Sequence, residues 1–151
     1  MTDLEAKKRR SRLRAEAIEL SRYYGRVRFD EKDGAWLHVE RFSIPPGWNK
    51  NQVEILIDIP WGTPGYPSLA PQWFWTDQDL TTRAGKSISH FFTAGSSHAD
   101  QQHLDRGWGH FCVHINDWKP AGAANLLRGH SLISYLNLIR AIFNDHRTLS
   151  R

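Results

Sequence analysis

Cysteine is almost absent from this chain, since Cys112 is the only one among 151 residues. A lone thiol excludes a disulfide within the chain, so any chemistry of this residue is nucleophilic, metal-binding or intermolecular. No apolar run approaches the roughly 20 residues that a membrane-spanning helix needs. The first residues are charged, which is unlike the apolar centre of a signal peptide. We therefore expect a cytoplasmic protein without membrane association, in a compartment that keeps a free cysteine reduced.

Positive charge is scarce outside one segment. The formal net charge is +4, but six cations lie within eight positions: Lys7, Lys8, Arg9, Arg10, Arg12 and Arg14. Without them the remaining chain is slightly acidic. The cluster predicts one docking surface for an acidic partner, with a solvated helix face as the alternative. Nucleic-acid binding is disfavoured, because residues 1–22 lack the interleaved aromatic side chains of a single-strand binding surface.

Apolar and aromatic residues are present in sufficient number for a core, at 40% and 12% of the chain. Neither repeats nor low-complexity segments occur, and the length fits one domain over residues 1–151. Helical spacing of apolar residues predicts an N-terminal helix over Thr2–Tyr24. A second apolar stripe predicts a helix from Leu132 to Phe143, with Ser131 as its N-cap.

The middle of the chain favours strands. Extended segments are predicted at Arg26–Phe29, Ala35–Ser43, Val53–Ile59 and Gln72–Thr76. The Asp33-Gly34 pair favours a turn between the first two. Four prolines interrupt Pro60–Pro71, and residues 77–109 show no sustained period, which is typical of a functional or mobile segment. The expected fold class is therefore α+β, with an antiparallel meander of about four strands between helices.

Four short motifs follow one another between Pro60 and Pro120. They are Gly65-Tyr66-Pro67 after a strand ending in Pro60, Gly109-His110-Phe111-Cys112, and Trp118-Lys119-Pro120, with His103-Leu104-Asp105 before the cysteine. Their order resembles that of the ubiquitin-conjugating enzymes, in particular divergent prokaryotic members, over most of residues 2–145. The resemblance implies a UBC-like fold with an N-terminal helix, a four-stranded meander, a long active-site segment and C-terminal helices.

The same resemblance implies a bacterial acyltransferase without a cofactor. Cys112 would carry a ubiquitin-like modifier as a thioester and pass it to an amine of a target protein. An adenylating activating enzyme would supply the modifier and contact the first helix, and the genes would lie beside a JAB-type peptidase in an anti-phage operon. His103 would order the active-site loop. Asp105 replaces the family's oxyanion-stabilising asparagine, although a carboxylate repels developing negative charge.

The residues around the thiol suggest roles of their own. Alternation in an extended segment would place His110, Cys112 and His114 on one side, where protonated imidazoles would lower the thiol pKa. His114 is a candidate donor during transfer, and Asp117 a candidate group for attracting or deprotonating the incoming lysine. Three alternatives remain: an inert buried cysteine, a non-catalytic modifier-binding module of the same fold, and a zinc protein. Its ligands would be His98, His103, His110, Cys112 and His114.

Overall fold

The structure, a computed structural model, describes residues 2–94 and 101–145. Its elements are α1 (Asp3–Tyr24), β1 (Val27–Phe29), β2 (Trp36–Ser43), β3 (Gln52–Asp58), β4 (Trp73–Asp77), β5 (Phe91–Phe92), α2 (Gln101–Asp105), β6 (Trp108–Cys112) and α3 (Leu132–Asn144). The six strands form one antiparallel sheet in the order β1-β2-β3-β4-β6-β5. Within the described ranges, no helix combines the length and apolarity that crossing a membrane would require. The predicted α+β class is confirmed.

Helix α1 begins where the sequence predicts it. The Thr2 hydroxyl accepts a hydrogen bond from the Glu5 amide, and the Glu5 carboxylate accepts one from the Thr2 amide, so two free N–H groups of the first turn are satisfied. The apolar stripe of Leu13, Ala17 and Leu20 is buried. Gly25, with a φ of 73°, ends the helix in a conformation that glycine adopts readily.

The predicted meander is confirmed with small shifts of its strand ends. Strands β1 to β4 pair consecutively, and the Asp33-Gly34 turn joins the first two. The Asp30 carboxylate accepts hydrogen bonds from three amides of this turn, and Gly34 adopts a φ of 66°. The sequence therefore specifies this hairpin through local chemistry.

The prediction of an irregular segment over residues 77–109 is partly wrong. It contains β5 and α2, and β6 begins at Trp108, so Cys112 lies at the end of a strand. The two residues of β5 are too few to give a periodic signal. At the other end of the chain, α3 is the one C-terminal helix that the described residues contain, and the Ser131 hydroxyl caps it as predicted.

The core lies on one face of the sheet, where both long helices pack. Phe74 and Phe111 point to this face and stack at 5.0 Å between ring centroids, and Phe143 of α3 lies against both. The indole of Trp48 donates a hydrogen bond to the Phe143 carbonyl at the end of α3. Alternation along each strand sends the intervening side chains to the opposite face. That opposite face carries the thiol.

Candidate active site around Cys112

Cys112 is the last residue of β6 and is partly exposed. It lies directly opposite Trp73 of β4, and its backbone N–H donates to the His90 carbonyl at 2.9 Å. His90 has a φ of 62°, an unfavourable backbone conformation for a residue with a side chain. The backbone of the cysteine is thus fixed on both sides, while its side chain remains reachable from solvent.

The imidazole of His110 is in contact with the thiol. Its Nδ1 lies 3.7 Å from the Cys112 Sγ, because residues two apart in a strand point to the same face. The ring is only 3% exposed and packs against Trp75 at 4.8 Å and Trp73 at 5.7 Å between centroids. Burial raises the pKa of the Cys112 thiol. Burial thus acts against the lowering expected from protonated histidines, which stays a prediction.

A carboxylate holds the two tryptophans in place. Asp58, the last residue of β3, accepts hydrogen bonds from the indole of Trp73 at 2.7 Å and from that of Trp75 at 2.9 Å. Each tryptophan pairs across the sheet with one residue of the site, Trp73 with Cys112 and Trp75 with His110. A chain of contacts therefore runs from Asp58 through the indoles to the imidazole and the thiol.

Close packing beside the thiol depends on a glycine. A Cβ atom at Gly109 would lie 2.4 Å from the ring of Phe91, so the β5 strand can approach β6 only where a side chain is lacking. The side-chain amide nitrogen of Gln78 lies within 3.3 Å of the carbonyls of Thr93, Leu104 and Trp108. This amide holds together the three segments that lead into the site.

Of the residues predicted before the cysteine, His103 joins the site indirectly. Its ring lies on Trp75 at 4.6 Å between centroids, and Trp75 in turn contacts His110. Asp105 is exposed, and its carboxylate accepts a hydrogen bond from Gln101 one helical turn earlier. The predicted role of His103 in ordering the loop is compatible with this packing, and the role of Asp105 stays a prediction.

The residues predicted after the cysteine are exposed. In the part of the chain that the structure describes, neither His114 nor Asp117 forms a hydrogen bond or ion pair with Cys112. Trp118 is fixed instead, since its indole donates to the Pro67 carbonyl at 2.7 Å. This bond joins the segment after the cysteine to the proline-rich loop between β3 and β4.

The zinc alternative finds no geometric support in residues 2–94 and 101–145. His98 lies outside the described residues. The other four candidates, His103, His110, Cys112 and His114, are not part of any group of three or more ligands that could hold a metal ion. Of these four, only His110 and Cys112 are joined by a hydrogen-bond contact.

Residues 24–139, from the start of the sheet through most of α3, match the family model described as Prokaryotic E2 family E. This segment spans more than half of the chain and includes Cys112. The chain belongs to this prokaryotic E2 family. E2 is the common designation of ubiquitin-conjugating enzymes, so the resemblance predicted from the sequence is confirmed at the level of the family. No curated protein and no solved structure matches the chain.

Two of the six cations assigned to partner binding in this E2 family member, Arg9 and Arg12, are buried and bonded within the chain. Arg9 is 4% exposed, and its guanidinium donates to the carbonyls of Gly34 and Ile59. Arg12 is 8% exposed and binds Glu16 and the Ala121 carbonyl. Both side chains join α1 to distant parts of the chain. Their apolar stems and fixed guanidinium groups make them structural residues.

The other four cations lie at the surface. Lys7, Lys8 and Arg14 are exposed, and Arg10 is half-buried. Lys7 and Lys8 line a groove of about 840 Å³ beside α1. The opposite wall consists of residues 62–68 of the proline-rich loop, and Ala123 and Leu126 close one side. The groove therefore combines an apolar lining with positive charge at its rim.

Two further residues of the site, Asp58 and Gln78, were not among the predicted ones. Asp58 alternates with buried isoleucines in β3, and this pattern signals its place on the outer face, where it meets Trp73 and Trp75. Gln78 gives no such signal, because its three carbonyl partners lie 15, 26 and 30 positions away.

Proposed function

We propose that Cys112 accepts a ubiquitin-like modifier as a thioester and passes it to an amine of a target protein. The observation that carries the proposal is the position of the thiol. The single cysteine of a prokaryotic E2 family member lies at the partly exposed end of β6, beside the buried ring of His110. A thioester carrier needs a reachable sulfur and a surrounding that slows hydrolysis.

The charging step is an exchange of thioesters. The Cys112 Sγ attacks the thioester carbonyl that joins the modifier to the activating enzyme, the new S–C bond forms, and the enzyme's thiolate leaves and takes up a proton. In the second step an amine attacks the Cys112 thioester, an amide forms, and the Cys112 thiol is regenerated. Asp105, His114 and Asp117 are proposed to act in this transfer, with His103 ordering the loop.

The groove beside α1 is proposed as the docking site of the activating enzyme. Its apolar lining offers burial, and Lys7 and Lys8 offer attraction to an acidic surface. The partner-binding role of Arg10 and Arg14, which do not line the groove, stays a prediction. The resemblance further implies an anti-phage operon with a JAB-type peptidase, which the neighbouring genes would test.

Incubation with the cognate activating enzyme, the modifier and ATP is expected to give a covalent adduct that thiol reductants remove. Because Cys112 is the only cysteine, a reductant-sensitive adduct of this chain can only be attached there. The measurement is gel electrophoresis with and without reductant. Modifier binding without any adduct would contradict the proposal and favour a non-catalytic module of the same fold.

Reversing the charge of two groove residues is expected to slow adduct formation. The double variant Lys7→Glu and Lys8→Glu should charge about tenfold more slowly at low salt, because electrostatic attraction raises association rates. The difference should shrink as salt screens the charges. Arg83→Glu with Lys86→Glu is the matched control, since both residues are exposed and neither lines the groove. Equal rates for the two double variants would contradict the docking site.

A further inference from the structure

We propose that the imidazole of His110 is the base that takes the proton of the Cys112 thiol during charging. The inference rests on the proposed function, because it assigns a catalytic residue to the same reaction. It gives a role to a buried histidine that is two positions before the nucleophile and contacts it directly.

The imidazole of His110 contacts the thiol directly. The His110 Nδ1 lies 3.7 Å from the Cys112 Sγ, within the distance of a hydrogen bond that involves sulfur. In the tautomer that carries its hydrogen on Nε2, Nδ1 accepts the S–H proton. A base must lie within hydrogen-bond reach of the proton that it removes, and His110 meets this condition before any partner binds.

The Cys112 thiol needs a base to become a nucleophile. Burial favours the neutral thiol, and neutral thiols are poor nucleophiles. No cationic side chain forms an ion pair or hydrogen bond with the sulfur in the described ranges to offset this effect. A proton acceptor in contact with the sulfur supplies the thiolate only at the moment of attack.

The imidazole of His110 is held in position by its neighbours. Trp75 and Trp73 pack against it, and Asp58 fixes both indoles by hydrogen bonds. Among the described residues, the ionisable groups on this chain of contacts are Asp58 behind the tryptophans, His103 against Trp75, and Cys112. Asp58 thus fixes the indoles that hold the imidazole against the thiol.

The proton balance of the step is complete. As the Sγ–C bond forms, the thiol proton moves to Nδ1 and His110 becomes an imidazolium. When the S–C bond to the activating enzyme breaks, the leaving thiolate takes up a proton that the imidazolium releases. His110 returns to its neutral form, so that no further reactant is needed.

The test measures the reactivity of Cys112 with iodoacetamide as a function of pH, which needs neither modifier nor activating enzyme. In the wild type, we expect reactivity to persist at neutral pH and to fall when His110 becomes protonated. His110→Phe keeps an aromatic ring in the buried site but has no base, so alkylation at pH 7 should be about tenfold slower and recover at high pH. Charging at pH 7 should slow by about 100-fold, the usual size of general-base catalysis.

Two further variants keep the test decisive. His110→Asn retains a polar side chain that cannot take up a proton, and we expect it to behave like His110→Phe. If the phenylalanine variant does not fold, the asparagine variant still tests the proposal. His38→Asn is the matched control, because His38 is also a buried histidine of the outer face but is bonded to Glu54 and Arg28 and not to the thiol. It should keep the wild-type pH profile.

The outcomes separate the inference from the proposed function. If alkylation by both His110 variants follows the wild-type profile, His110 is not the base. If charging proceeds equally fast in the wild type and both variants, the inference also fails while the thioester function stands. If the wild type forms no adduct but the variants lose neutral-pH alkylation, the proposed function fails and the pairing of His110 with Cys112 is supported.

Discussion

Replacement of Cys112 by serine is expected to convert a reductant-labile adduct into a reductant-resistant one. Serine places an oxygen at the position of the sulfur, and the product of its acylation is an ester, which thiols do not cleave under the same conditions. The ester should form more slowly than the thioester, since a hydroxyl is a weak nucleophile without activation. The measurement is gel electrophoresis of the wild type and of Cys112→Ser with reductant present.

Cys112→Ala is the companion variant and should lose the adduct completely. The side chain is only partly buried, so removal of one sulfur atom should leave the fold intact. An adduct that persists in Cys112→Ala would show that the modifier is attached elsewhere, and the proposed mechanism would then be rejected. Binding of the uncharged activating enzyme should be equal in both variants and the wild type.

Replacement of Glu16 by alanine is expected to lower the free energy of unfolding by about 3–5 kcal/mol, the typical effect of breaking a buried ion pair. Glu16 is fully buried and accepts hydrogen bonds from the Arg12 guanidinium, the Tyr66 hydroxyl and the Leu132 amide. Alanine would leave the guanidinium without its counter-charge and the first amide of α3 without its carboxylate partner. Denaturant unfolding measures the loss.

Glu19→Ala is the matched control for this prediction. Glu19 lies one turn further along α1 and pairs with exposed Arg22 at 3.5 Å, a surface contact that contributes at most about 0.5–1 kcal/mol. Tyr66→Phe should have an intermediate effect, because it removes one of the three donors to the carboxylate and keeps the ring. A loss of less than about 1 kcal/mol in Glu16→Ala would show that the network adds little to stability.

Local patterns predicted most of the fold. The periodic apolar residues of α1 and α3, the alternation in β3 and the Asp33-Gly34 turn act within a few positions, so the sequence displays them directly. Strand β5 and helix α2 are different, because two and five residues cannot show a period. Their structure depends on packing against β6, which a local pattern does not reveal.

The prediction for the basic segment shows where sequence reasoning fails. Six cations in eight positions indicate an exposed surface, yet Arg9 and Arg12 point inward. Their partners are carbonyls 25, 50 and 109 positions away. A guanidinium can be buried when several acceptors surround it, and acceptors on the backbone leave no trace in the sequence. Charge alone therefore could not separate these two arginines from their neighbours.

The site was predicted only in part, because some of its contacts join residues that are distant in the sequence. Alternation correctly placed His110 and Cys112 on one side of an extended segment, and the structure brings their side chains into contact. The pKa of the Cys112 thiol is raised by burial, and the tryptophans that pack against His110 come from another strand. The electrostatics of the pair thus required the sheet order as well as the sequence.

The strands at the margins of the sheet limit how copies of this chain can associate. The margins are β1, with three residues, and β5, with two. Exposed N–H and C=O groups at a sheet margin are templates for aggregation, and natural proteins often shorten such strands to avoid it. In the part of the chain that the structure describes, these two margin strands offer a neighbouring copy at most three residues each, too short a template for an extended intermolecular sheet.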